Sequence, residues 1–196
     1  MNVADPAQPP TPELVRGASV WPLSVAAYHA LGEAGLIPER TELLYGFVYH
    51  KMAKSPAHSS LVVRLIKLVQ PQVTPGCHLR SEQPITCLDS EPEPDIAIIH
   101  GTADDFWNEH PHTAELVIEV CITSHEYDRS KLRAYASAGI KECWLVLGPE
   151  KQIEVHTEPV GNAFTKRTIV GPGGGIQSTA LPGFAIELGK IFEKGP

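Results

Sequence analysis

Glu115-Leu116-Val117-Ile118-Glu119-Val120-Cys121 is the stretch on which the reading of this chain turns. It has the length and β-branched content of a strand, and side chains alternate across a strand. Leu116, Ile118 and Val120 therefore take one face, and Val117, Glu119 and Cys121 the other. Both faces are apolar apart from Glu119, which predicts a central strand covered on two sides. A carboxylate in that place needs a charged partner, a metal or a proton.

Downstream, Tyr127 to Ala138 predicts one helix, closed by Gly139. Its inward stripe runs through Tyr127, Lys131, Ala134, Tyr135 and Ala138, so a lysine faces the core, with Asp128 one turn back as a partner. Strands are expected at Glu142 to Leu147, Lys151 to Thr157 and Ala163 to Val170. A glycine loop at 173–175, a Leu181-Pro182-Gly183 turn and a short terminal helix over 187–193 follow.

Upstream, a strand over Asp95 to Ile99 comes after Glu91-Pro92-Glu93-Pro94, whose prolines hold the approach extended. Asp104 to Thr113 reads as polar loop and His78 to Leu88 as an extended segment broken by Pro84. Helices are expected from Ala57 to Gln70, after Ser55-Pro56, and from Leu23 to Leu36, with Ser24 as cap. Between them Glu42 to His50 reads as one aromatic strand, a surface that could meet a partner. Residues 1–18 are rich in proline and small residues and read as a flexible tail ahead of one domain over 19–196. The order predicts an α/β fold, a mixed sheet flanked by helices.

Composition narrows the function. Of 196 residues, 16 are Lys or Arg and 23 Asp or Glu, a net charge of −7. That argues against coating by nucleic acid over the whole surface and leaves a local groove, for which Arg64, Lys67, Arg80, Arg129, Arg133 and Lys141 are candidates. No apolar run approaches the roughly 20 residues of a membrane span, so no membrane partner is expected. The first residues lack the pattern of a signal peptide, and the cytoplasm is the expected compartment. None of the 4 cysteines form a Cys-x-x-Cys pair, which disfavours structural zinc. Cys121 and Cys143 lie in apolar runs as small hydrophobes, so a thiol enzyme built on either is a weak reading.

The chemistry-bearing candidates are polar residues in apolar places. Asp95 and Glu119 on adjacent strands would put two carboxylates at one end of the sheet, an oxygen-only pair suited to Mg²⁺ or Mn²⁺. An inward Lys131 beside them would hold or donate charge. Glu42 leads its strand, and His58 lies on the apolar face of its helix.

In order, Thr41-Glu42-Leu43-Leu44-Tyr45-Gly46, His58 after a Ser-Pro, Pro94-Asp95-Ile96, the 115–120 strand, Asp128-x-x-Lys131-x-x-x-Tyr135, Gly139-Ile140-Lys141-Glu142-Cys143-Trp144-Leu145-Val146 and Leu181-Pro182-Gly183-Phe184 are the residues that carry a resemblance. Over about residues 22 to 193 the chain resembles the Uma2 family of restriction endonucleases, formerly a domain of unknown function and similar in fold to the PD-(D/E)xK nucleases. The resemblance implies a restriction-endonuclease-like mixed β-sheet flanked by helices. It implies a metal-dependent endonuclease that hydrolyses phosphodiester bonds in nucleic acid, DNA before RNA, as a homodimer. Mg²⁺ or Mn²⁺ would be held by Glu42, Asp95, Glu119 and the backbone carbonyl of Val120, with Lys131 as the catalytic amine and His58 and Asp128 as possible additions. The nuclease motif expects a lysine where this chain has Cys121, and Lys131 is the natural substitute. The alternative is a weak or inactive nuclease fold serving as a dimeric nucleic-acid- or protein-binding module.

Overall fold

The structure, a computed structural model, describes residues 19–123 and 125–193; the tail expected over 1–18 lies outside them. The Ser24 hydroxyl accepts from the Ala27 N–H at 3.1 Å and caps α1 (Val25–Glu33), as its place in the sequence predicts. The expected aromatic strand is in fact a hairpin, β1 (Thr41–Leu44) against β2 (Phe47–His50). Tyr45 and Gly46 between them both take positive φ, 56° and 81°, the pattern of a two-residue I′-type turn. A Cβ on Gly46 would lie 2.3 Å from Pro22 Cβ, so close approach adds to the demand for glycine.

Proline in the first turn and a Ser55 cap on the His58 N–H, 3.2 Å, start α2 (Pro56–Val69). The sheet begins with β3 (Cys77–Arg80), so the expected 78–88 segment contributes strand only to Arg80. β4 (Ile96–His100) follows, and the polar loop after it contains a 3₁₀ turn, Ala103–Phe106. β5 (Leu116–Cys121) leads to α3 (His125–Ser130), α4 (Leu132–Ser137) and β6 (Glu142–Leu147). β7 (Gln152–Val160) runs beyond the expected Thr157 because it keeps pairing with β8 (Ala163–Val170) to the turn. β9 (Gly175–Gln177) and β10 (Ala185–Glu187) pair in a small sheet that sequence patterning did not anticipate, and α5 (Leu188–Phe192) ends the described chain.

The six-stranded sheet has the order β3-β4-β5-β6-β7-β8, with β5 and β6 parallel and the other neighbours antiparallel. β5 is central and fully buried, as its two apolar faces predict. One face (Leu116, Ile118, Val120) packs with Val62, Leu65 and Val69 of α2 and with Ile186, Leu188 and Ile191. The other (Val117, Cys121) packs with Tyr45, Leu132, Tyr135 and Leu145. Phe47 and Tyr49 also pack against this second cluster, so the chain itself covers much of the aromatic surface of the hairpin.

The single helix expected over 127–138 is broken at Lys131, and the cause is a tyrosine from the hairpin. The Tyr45 hydroxyl donates to the Ser130 carbonyl and accepts from the Ala134 N–H at 3.1 Å. It thus stands inside the i→i−4 bond those two groups would otherwise make. The break sits at the residue whose side chain enters the site.

Candidate active site

The antiparallel register pairs Ile96 with Ile118, and one further step puts Asp95 opposite Glu119. Here side chains take over the ladder. The Asp95 N–H donates to Glu119 Oε2 at 3.3 Å, and the Val120 N–H donates to Asp95 Oδ2 at 2.8 Å. The two carboxylates are therefore neighbours at one end of the sheet, on the face of Val117 and Cys121. Both are buried, 6% and 2% exposed.

Lys131 reaches them from the helix break. Its Nζ lies 3.3 Å from Glu119 Oε1 and 3.2 Å from Glu42 Oε2, over the Tyr127 ring. The inward stripe read from the sequence supplies the remaining donors. The Tyr127 hydroxyl donates to Glu42 Oε1 at 2.7 Å and the Tyr135 hydroxyl to Glu119 Oε1 at 2.6 Å. His58 Nε2 is 3.1 Å from Asp95 Oδ2, while its Nδ1 is buried without a partner. Asp128 is buried beside the cluster and adds to the negative field on Lys131 and Glu119. Lys131 thus links Glu42 to Glu119, His58 contacts Asp95, and Asp128 acts on the cluster through its charge. Cys121, in the position where the nuclease motif has lysine, is fully buried, and burial pushes its thiol far up, as it does that of Cys143. Neither has the activating surroundings a thiol enzyme needs.

The electrostatics follow from burial against charge. Burial lifts the Glu119 carboxyl to about 8, with Lys131 opposing and the Asp95 charge reinforcing the shift. Burial works against the Asp95 carboxylate too, but His58 and the Val120 N–H outweigh it and hold its pKa below the ordinary aspartate value. Burial would strip the Lys131 proton, but Glu119, Glu42 and Asp128 more than offset it, so the ammonium stays charged well above neutrality.

Two residues escaped the sequence reading. Lys54 Nζ lies 2.6 Å from Glu82 and 3.3 Å from Asp95 Oδ1, and Glu82 holds a left-handed φ of 55°. Both sit on irregular segments, where no periodicity marks an inward side chain.

The donor chemistry at Asp95 and Glu119 suits a hard divalent cation. These are oxygen ligands on two buried side chains brought together on neighbouring strands. Glu42 does not converge with them, because the Lys131 ammonium stands between it and Glu119. Among the described residues no three His, Cys, Asp or Glu side chains gather closely enough to hold a metal.

The basic residues considered for a groove are mostly engaged elsewhere. Arg129 pairs with Glu154 at 2.5 Å, Lys141 with Glu115 at 2.6 Å, and Arg64 donates to the Ile191 and Glu193 carbonyls. Arg133 stacks over Tyr45. Among the described residues no helix is long and apolar enough to cross a membrane.

A mixed sheet with helices on its faces, two acids on neighbouring strands and a lysine beside the second defines a nuclease-like fold. Residues 27–189 match the Uma2 family, described as "putative restriction endonuclease", and the chain belongs to that family. Its fold is similar to that of a protein from Anabaena variabilis ATCC 29413 described as a "putative nuclease belonging to DUF820". The TM-score is 0.64 at 16% identity, covering 83% of this chain and 96% of that one. No curated protein matches the chain.

Proposed function

We propose that this protein is a metal-dependent endonuclease that adds water across a phosphodiester bond of nucleic acid, with DNA as its substrate. The observation that carries the reading is Asp95 opposite Glu119 on neighbouring strands with the Lys131 ammonium 3.3 Å from Glu119. Membership of the Uma2 family supports it.

Asp95 and Glu119 would hold Mg²⁺ or Mn²⁺, with the Val120 backbone carbonyl as a further ligand. The bound cation would lower the pKa of its water and offset charge on the phosphate. Lys131, held charged by Glu42 and Glu119, acts as a fixed cation that stabilises the developing phosphate charge and is no proton acceptor at neutral pH. Glu42 and Tyr127 aim that ammonium, and His58 fixes the Asp95 carboxylate. Tyr135 keeps a proton on its hydroxyl and orients Glu119.

The test is cleavage of labelled DNA and RNA with Mn²⁺, wild type beside Asp95→Asn and Glu119→Gln. Cleavage of DNA by wild type alone is expected. Loss of one such electrostatic group costs about 10²–10³ in rate. DNA binding with no cleavage by wild type under any metal would favour the binding-module reading.

A further inference from the structure

Arg80 ends β3 on the sheet face that carries Asp95 and Glu119, and it has no carboxylate partner among the described residues. It is 8% exposed, and its Nε is sealed from solvent with no hydrogen-bond partner. Among the described residues its polar contact is a long one, Nη2 donating to His110 Nδ1 at 3.5 Å, and the guanidinium lies 5.7 Å from the centre of the Phe106 ring. The acids whose field reaches its neighbour His110 are committed to other groups. Glu91 takes His29 at 2.6 Å and the Thr86 hydroxyl at 2.6 Å, and Glu93 pairs with Lys51. A largely buried guanidinium without a carboxylate partner is costly, and an anion from outside would offset that cost.

The register says where such an anion would lie. Arg80 is opposite Ala97, two residues along from Asp95, and the Ser81 hydroxyl ties the strands by donating to the Asp95 carbonyl at 2.9 Å. Diagonal neighbours on paired strands are about 7–8 Å apart, a step comparable to that between successive phosphates of a nucleic-acid strand. The open Nη end of the guanidinium can donate to a phosphate oxygen, and a neutral His110 that accepts from Nη2 keeps it in place.

We propose that Arg80, backed by His110, binds a phosphate of the substrate backbone adjacent to the one that faces Asp95 and Glu119. The identity of the ligand as a backbone phosphate rests on the nuclease reading, whereas the anion site itself does not.

The experiment compares wild type, Arg80→Met and Arg80→Lys in EDTA, by thermal melting with inorganic phosphate and by anisotropy of a labelled oligodeoxynucleotide. Wild type is expected to melt higher with phosphate. Arg80→Met is expected to melt at or above wild type without phosphate, because an unpaired charge is gone. It should lose the phosphate response and bind the oligonucleotide about tenfold more weakly. Arg80→Lys, which keeps the charge without the fork, should recover part of that binding. A lower melting temperature for Arg80→Met with its phosphate response intact would make Arg80 structural and overturn the proposal. So would a wild type that ignores both probes. A response to inorganic phosphate without oligonucleotide binding would overturn the backbone assignment. In Mn²⁺ cleavage assays, Arg80→Met should raise KM about tenfold with kcat nearly unchanged. Cleavage with unaltered KM would sink this inference and leave the nuclease intact. A phosphate response lost in Arg80→Met, with no cleavage by wild type, would do the reverse.

Discussion

Replacing Lys131 by Met tests the electrostatics of the site most sharply. The substitution roughly keeps the side-chain volume but removes the ammonium that sits 3.2 Å from Glu42 and 3.3 Å from Glu119, both buried. At an effective dielectric near 20, each contact is worth about 5 kcal/mol of gross attraction. The cost of burying the ammonium offsets much of that, leaving a net loss of about 3–5 kcal/mol when one partner of a buried pair is removed. The loss must depend on pH. Glu119 has a folded pKa of about 8, above its unfolded value, so its proton contributes stability fully present near pH 4.5 and lost as pH rises towards 8. Without Lys131, which lowers that pKa, the loss extends to higher pH. Lys131 itself, raised above its ordinary value, stays charged until the pH exceeds about 10.5. Urea denaturation at pH 5 and pH 8.5 should therefore show a small penalty for Lys131→Met at the lower pH and the full one at the higher. A penalty independent of pH, or none at pH 8.5, would refute the reasoning.

The other predictions concern the scaffold. Glu154 is buried between Arg129 at 2.5 Å and Arg167 at 2.7 Å, with His156 Nε2 3.2 Å away. Burial opposes its ionisation but these three outweigh it, and its pKa is strongly depressed. Its contribution is therefore present above about pH 4.5 and lost as the pH falls further. Glu154→Gln should cost about 1–3 kcal/mol at pH 7, a figure reduced for the partly exposed arginines, and the difference from wild type should shrink in urea melts below pH 4. Tyr45→Phe removes the hydroxyl that splits α3 from α4. It should cost about 1–3 kcal/mol and lower cleavage by shifting Lys131, with DNA affinity unchanged; stability and cleavage equal to wild type would count against that explanation of the break.

What the sequence revealed and what it hid divide along the range of the forces involved. Period-two alternation marked β5 and the face of Glu119, and helical spacing marked Tyr127, Lys131 and Tyr135 as one inward stripe, because both patterns are local. Sequence pattern alone gives the hairpin as one strand because Tyr45, a bulky residue, holds a positive φ that its identity does not advertise. The helix break was invisible for the same reason: its cause, the Tyr45 hydroxyl, comes from 85 residues away. Glu42 was found as a candidate, but its engagement by Lys131 and Tyr127 depends on three separate segments meeting. Lys54, Glu82 and the uncompensated state of Arg80 were beyond reach, since being paired or unpaired is a property of the assembled site.

Calorimetric titration of Mn²⁺ into wild type, Asp95→Asn and Glu119→Gln at pH 7 tests most directly whether the two facing acids form a metal site. The account predicts one saturable event in wild type that releases a proton from Glu119, and its loss in both variants. Equal binding by all three proteins, or no binding by wild type, would contradict it.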